Sequence, residues 1–274
     1  MKRKIQVLGI VNLTDDSYFA PSRVQDTDAL LGRVGKMLEE GADWIDIGAC
    51  STRPGSHPVG AEEDWRRLEP ALEVLRKAFP EIRISIDTYW ASVVERVFDT
   101  IGPFLVNDIS AGAYDESMLP LVGRLGLPYV AMHMRGTPET MQRYTNYEVD
   151  ITRAVISYFK SFAREAEDYG IRNWILDPGF GFAKTIEQNY ELLMNMDRLK
   201  EPGRRILVGV SRKSMIYKLL GITPEEALAP TQVLHFVAME KGADILRVHD
   251  VAEAVRTAKL YSTMYTSSPG AANL

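Results

Sequence analysis

The sequence predicts an α/β chain closed as a (β/α)8 TIM barrel in one domain, and three observations carry that prediction. Eight short runs rich in β-branched and aliphatic residues recur along the 274 residues. Segments with apolar residues at helical spacing separate them, so strand and helix alternate about eight times, the pattern of a parallel sheet with crossover helices. The C-terminal end of every run is polar or charged, as expected where barrel strands deliver an active site. An open doubly wound sheet is the competing architecture. It would offer a G-x-G-x-x-G fingerprint after its first strand, whereas the turn here reads Asn12-Leu13-Thr14-Asp15-Asp16.

Ile5 to Val11 is the first run, and Asn12 ends it. Leu30, Leu31, Val34, Met37 and Leu38 then share a helical face that stops at Glu39-Glu40-Gly41, with the glycine as a C-terminal cap. Trp44 to Gly48 leads to Ser51-Thr52-Arg53, and a helical pattern follows from Trp65 to Phe79. Ile82 to Ile86 ends in Asp87-Thr88, and Phe104 to Ile109 contains Asn107-Asp108. Tyr129 to Met134 delivers His133 and Arg135 ahead of a helix from Ile151 to Tyr169. Trp174 to Leu176 ends in Asp177, and Ile206 to Val210 ends in Ser211-Arg212-Lys213. Ile245 to Val248 brings Arg247, His249 and Asp250 before a last helix from Ala252 to Tyr261. The expected domain covers residues 1–265, with 266–274 as a loosely held C-terminal tail. Two connections, Asn12 to about Thr27 and Cys50 to about Ala61, are long enough to serve as lids or binding loops.

Composition narrows the function classes. With 46% hydrophobic and 25% charged residues the chain can bury one large core. A net charge of -5 argues against a nucleic-acid partner. The single Cys50 excludes an internal disulfide and a thiolate metal cluster. Met1-Lys2-Arg3-Lys4 is basic, but the apolar run behind it is short and meets Asp15-Asp16, so no signal peptide is read there. No stretch approaches the roughly 20 apolar residues of a membrane span. The expectation is a cytoplasmic protein with no membrane partner. No H-E-x-x-H, G-x-x-x-x-G-K-[ST] or G-x-S-x-G occurs, which argues against a zinc peptidase, a P-loop NTPase and a serine hydrolase.

The strand ends divide into two chemical sets. Any one of these residues can simply cap the following helix, and Thr88, Asp108 and Asp250 read at least as well that way. Asp87, Asn107 and Asp177 form a group of acceptors with one amide, and Lys213 adds a donor. Such a group suits a planar heterocycle whose amidine-like N–C–NH2 edge a carboxylate can grip with two hydrogen bonds. Arg53, Arg247 and His249, with Asn12, form a cationic set that suits phosphate. The segment Ile175 to Lys184 is the most site-like: an apolar strand ends in Asp177, Pro178 and two glycines open the backbone, and Phe180 and Phe182 offer flat apolar surface.

In order along the chain, these motifs resemble dihydropteroate synthase: Gly9-Ile10-Val11-Asn12-Leu13-Thr14, Asp46-Ile47-Gly48 with Ser51-Thr52-Arg53-Pro54-Gly55, Ser85-Ile86-Asp87-Thr88, Asn107-Asp108-Ile109-Ser110, Met132-His133-Met134, Asp177-Pro178-Gly179-Phe180-Gly181-Phe182, Ser211-Arg212-Lys213 and Arg247-Val248-His249-Asp250. The resemblance implies a TIM barrel that joins 6-hydroxymethyl-7,8-dihydropterin pyrophosphate to p-aminobenzoate with Mg2+, releasing pyrophosphate. It implies that Asp87, Asn107, Asp177 and Lys213 hold the pterin, with Met132, Phe182 and Gly209 lining its slot and Arg247 against its face. It further implies that Asn12, Arg53, Arg247 and His249 take the pyrophosphate, with Asn12 on the metal. Thr52, Arg53, Pro54 and Ser211 are implied for p-aminobenzoate; Asp87, Asp177, Lys213, Arg247 and His249 are the implied catalytic groups. Family members also dimerise, so a homodimer is expected.

One departure bears on the arylamine. The family's first loop reads Thr-Pro-Asp-Ser-Phe-Ser-Asp-Gly-Gly, whereas Thr14-Asp15-Asp16-Ser17-Tyr18-Phe19-Ala20-Pro21-Ser22 stands here, with Ala20 in place of an Asp that helps close the p-aminobenzoate site. A methyltetrahydrofolate-dependent methyltransferase would share the heterocycle positions but leaves Ser51 to Gly55 and the Arg247/His249 pair without a purpose. A pterin-binding protein that has lost turnover is the other alternative.

Overall fold

A computed structural model describes residues 4–13, 23–49, 59–200 and 203–266. Its eight strands are β1 (Gln6–Asn12), β2 (Trp44–Gly48), β3 (Ile84–Asp87), β4 (Leu105–Asp108), β5 (Tyr129–Met132), β6 (Trp174–Asp177), β7 (Arg205–Val208) and β8 (Ile245–Val248). Each pairs in parallel with the next, and β8 pairs with β1 to close the barrel. Among the described residues the helices are α1 (Arg23–Glu39), α2 (Ala61–Ala78), α3 (Ala91–Ile101), α4 (Met118–Leu125), α5 (Ile151–Asp168), α6 (Ile186–Met194), α7 (Ser214–Leu220), α8 (Leu228–Glu240) and α9 (Val251–Thr266). The predicted (β/α)8 fold is therefore the one observed. No described helix is long and apolar enough to cross a membrane.

Strand alternation divides the barrel into two chemistries. Side chains two apart point to the same face, and Leu8, Leu105, Val130, Ile175, Leu207 and Ile245 meet inside the barrel as one buried cluster. Burial of an aliphatic side chain of this size contributes about 1.5–3 kcal/mol, so this layer seals the lower half without polar atoms. Two residues further along, the same inward positions become Asp46 on β2, Asn107 on β4, Asp177 on β6 and Arg247 on β8. The intervening outward residues, among them Ile45, Ile47, Val106 and Leu176, join the large core between strands and helices.

Several boundaries differ from the sequence expectation for one physical reason. Apolar runs overstate the ladder where a loop residue is buried: Ile82, Ile109 and Val210 lie outside the strands yet are almost wholly covered. They understate it where the last paired residue is a carboxylate, so Asp87 and Asp177 belong to β3 and β6. The first helix starts at Arg23 rather than near Thr27, because its opening turn is polar and hides its period. The last helix runs through Thr266, five residues past its expected end at Tyr261, and residues 267–274 lie outside those described.

Candidate active site

Arg247 is the hub of the barrel mouth. Its Nε donates to Asp46 Oδ2 at 2.7 Å and its Nη2 to Asp87 Oδ2 at 2.7 Å. Asp46 also accepts from Ser85 Oγ at 2.6 Å and from Asn107 Nδ2 at 3.2 Å. These residues stand on β2, β3, β4 and β8, so strand parity alone brings them together. Gly48 makes room: a Cβ there would stand 3.1 Å from the Asp87 Cβ. Burial raises the Asp87 carboxyl to about 7 against the pull of Arg247, while Asp46 pushes it further up. Burial works against the Arg247 charge, but Asp46 and Asp87 outweigh it and hold the guanidinium charged.

The loop after β6 forms the opposite wall. Gly179 (φ 68°) cannot carry a side chain, because a Cβ would lie 2.1 Å from the His133 carbonyl oxygen. Its N–H donates to Asp177 Oδ1 at 2.8 Å, tying the carboxylate to its own loop. Phe182 and Met132 pack with Tyr89, Ile109, Met141 and Ala183 in a small apolar cluster. Lys213 lies 4.7 Å from the centre of the Phe182 ring and donates to Phe180 O at 2.6 Å. Burial lowers Lys213 to about 8 despite Asp177, and the same desolvation raises Asp177 despite Lys213. Gly209 borders both cations, since a Cβ there would stand 3.8 Å from Lys213 Nζ and 3.9 Å from Arg247 Cβ.

Lys184, which ends the site-like segment but carries no implied ligand contact, is the post around which this loop turns. Its buried Nζ donates to Gly179 O at 2.8 Å and Phe182 O at 3.0 Å and meets His133 Nδ1 at 3.0 Å. A capping box between Thr185 and Gln188 starts α6, and Asn189 Oδ1 accepts from Gly181 N at 2.7 Å. Desolvation lowers Lys184 to about 7, and desolvation followed by the Lys184 charge keeps His133 neutral.

The loops after β7 and β8 are joined by two bridges. Ser211 Oγ accepts from His249 N at 3.2 Å and lies 3.1 Å from His249 Nδ1. Arg212, held at φ 53°, makes a two-pronged pair with Asp250, both contacts at 2.8 Å. A left-handed non-glycine residue costs about 1 kcal/mol or more. His249 falls to about 4 through burial, reinforced by Arg247, so the free site carries a neutral imidazole. The cationic character expected of this set therefore rests on Arg247 among the described residues.

Asp87, Asn107, Met132, Asp177, Phe182, Gly209, Lys213 and Arg247 thus converge on one mouth, beside Ser211 and His249. Asn12, in register with Gly48 and on the inward parity of Leu8, ends β1 at the same rim. Thr52, Arg53 and Pro54, like Asp16, Ala20 and Cys50, lie outside the described residues. Three other strand-end residues serve the scaffold: Thr88 donates to Asp64, Asp108 receives Ser110, Gly112 and Tyr129, and Asp250 holds Arg212. Arg135 turns outward over the Tyr147 ring. Asp46 was given no role in the sequence reading. A carboxylate at the centre of the apolar strand Trp44–Gly48, two residues before its end, was the signal for it. A separate cavity of about 460 Å3, lined by Ile5, Lys200, Met239 and Tyr261 among others, lies at the opposite end of the barrel from these strand ends.

The model of the family described as pterin binding enzyme matches residues 8–249. A dihydropteroate synthase of Clostridium beijerinckii is 39% identical over 257 residues, covering 93% of this chain and 92% of its own length. The structure of the Xanthomonas albilineans dihydropteroate synthase with 4-aminobenzoic acid superimposes with a TM-score of 0.87 at 35% identity, covering 97% of this chain and 94% of that one. The Yersinia pestis enzyme in a sulfonamide drug complex gives 0.88 at 34% identity, with 96% and 95% covered. Longer relatives also match: the chain spans 36% of the folic acid synthesis protein fol1 of Pneumocystis carinii and 50% of a mitochondrial folate synthesis bifunctional protein of Arabidopsis thaliana. With a family match that begins in β1 and ends at His249, just past β8, this chain belongs to the pterin binding enzyme family.

Proposed function

We propose that the chain is a dihydropteroate synthase, joining p-aminobenzoate to the methylene carbon of 6-hydroxymethyl-7,8-dihydropterin pyrophosphate and releasing pyrophosphate. The observation that carries the reading is the meeting of acceptors Asp87, Asn107 and Asp177 with cations Arg247 and Lys213 at one barrel mouth, in a chain of this family. The 4-aminobenzoic acid bound to the Xanthomonas relative supports the arylamine as second substrate.

In this reaction the bond from the methylene carbon to the pyrophosphate oxygen breaks, and its electron pair leaves with pyrophosphate. The arylamine nitrogen supplies the pair for the new C–N bond, and its proton passes to solvent. Positive charge on the methylene spreads into the ring, where Asp87 and Asp177 stabilise it in a partly desolvated setting. Asp46, Asp87 and Asp177 outnumber Arg247 and Lys213, a balance that favours a ligand rich in N–H donors. Arg247 and the Nε2 side of His249, with Asn12 and Arg53, receive the leaving group. Thr52, Arg53, Pro54 and Ser211 are assigned to the arylamine, which is uncharged at neutral pH and needs mainly positioning.

Magnesium, when bound, would supply charge neutralisation on the pyrophosphate. Asn12 offers one amide oxygen, which fits an ion that keeps much of its water and takes further ligands from phosphate. A homodimer is part of the same reading, supported by exposed Leu219 and Leu220 on α7, Val233 on α8 and Leu260 and Met264 on α9. A cytoplasmic site of action accords with the acidic composition and a single cysteine. Pyrophosphate release that requires both substrates is the test.

A further inference from the structure

Asp46 is fully buried, and each side chain bonded to it is a donor: Ser85 Oγ, Asn107 Nδ2 and Arg247 Nε and Nη2. A buried carboxylate is costly, and apolar residues of similar volume often serve stability better. The lower barrel interior uses such residues, from Leu8 to Ile245. A carboxylate one layer higher therefore calls for a reason other than packing. Two of its three partners, Asn107 and Arg247, are groups that face the heterocycle in the proposed function.

We propose that Asp46 is a positioning residue that sets the hydrogen-bond polarity of the heterocycle site, an inference that rests on the dihydropteroate synthase reading. A carboxylate that already takes donors from Ser85 and Arg247 acts as an acceptor, so the Asn107 amide turns its NH2 toward Asp46. Its Oδ1 is then left as an acceptor beside Asp87 and Asp177, and a ligand edge of contiguous N–H donors is favoured over one bearing a carbonyl. The same carboxylate tethers Arg247 through Nε, so the guanidinium keeps an anchor on β2 when a ligand edge competes for Asp87 Oδ2. Gly48, the next inward residue of β2, interposes no side chain between this tether and the mouth.

Asp46→Asn keeps the shape and removes the charge, so the Asn107 amide is free to turn over. The test is calorimetric binding of 6-hydroxymethyl-7,8-dihydropterin and of its 2-oxo analogue to wild type and variant, with initial rates and melting temperatures in parallel. The expected result is a loss of dihydropterin affinity of about 10- to 100-fold, the range for a lost hydrogen bond to a charged group. Preference for the 2-amino over the 2-oxo compound should fall by about tenfold, while KM for p-aminobenzoate moves by less than about threefold. A folded variant with unchanged dihydropterin affinity and unchanged 2-amino preference overturns the proposal. So does an equal loss for both substrates accompanied by a lower melting temperature, which is the signature of a purely structural carboxylate. Should Asp46→Asn fail to fold, Asn107→Ala removes the amide through which Asp46 acts, and an unaltered 2-amino preference in that variant overturns the proposal. Wild-type protein that binds neither compound would instead overturn the functional reading itself.

Discussion

Arg247 on β8 donates to Asp87 on β3 at 2.7 Å, a bond that reaches past β1 and β2 across the barrel mouth. The same guanidinium serves Asp46, so one cation is shared by two buried carboxylates. Arg247→Lys keeps the charge but cannot serve both acceptors with a fixed fork. Turnover should fall by about 10²- to 10³-fold, the range for removing one preorganised donor from a transition state. Steady-state rates under saturating substrates check this, and a fall below about threefold would show that the fork is dispensable.

Asp177→Asn separates charge from loop geometry. The amide oxygen can still accept from Gly179 N, so the turn after β6 should persist. The ligand loses a charged acceptor, which should weaken dihydropterin binding by about 1.5–3 kcal/mol. Calorimetry reads this directly, and unchanged affinity would remove Asp177 from the heterocycle site.

Much of this site was legible in the sequence because barrel strands deliver their ends to one place. Once eight parallel strands were read, Asp87, Asn107, Asp177, Lys213 and Arg247 had to share a mouth, whatever the loops did. Sequence reasoning missed what depends on side-chain pairing. Asp46 looked like part of an apolar strand because its partners, Ser85, Asn107 and Arg247, are 39, 61 and 201 residues away. The role of Lys184 was hidden because the loop's reversal through Gly179, Gly181 and Ala183, all at positive φ, is what folds its amine back among the carbonyls. The neutrality of His249 follows from burial, which no spacing encodes.

The buried Lys184 should give stability a pH dependence of known sign. Its ammonium falls from 10.5 to about 7 on folding, so between those values the unfolded chain binds more protons and stability rises with pH. Lys184→Met removes that contribution along with the bonds to Gly179 O and Phe182 O. The variant should therefore be less stable than wild type, and the gap should widen by about 1–2 kcal/mol between pH 7 and pH 9. Urea unfolding at the two pH values checks this; a gap that stays constant would mean the lysine remains an ammonium in the fold.

A barrel mouth that couples a dihydropterin pyrophosphate to an arylamine must release pyrophosphate as it forms the new C–N bond. The most direct measurement is pyrophosphate release by the purified protein with Mg2+, with each substrate omitted in turn and 7,8-dihydropteroate quantified alongside. Release and product should appear in equal amounts, and only when 6-hydroxymethyl-7,8-dihydropterin pyrophosphate and p-aminobenzoate are both present. No product from the complete mixture, under conditions where the dihydropterin pyrophosphate binds, would contradict it.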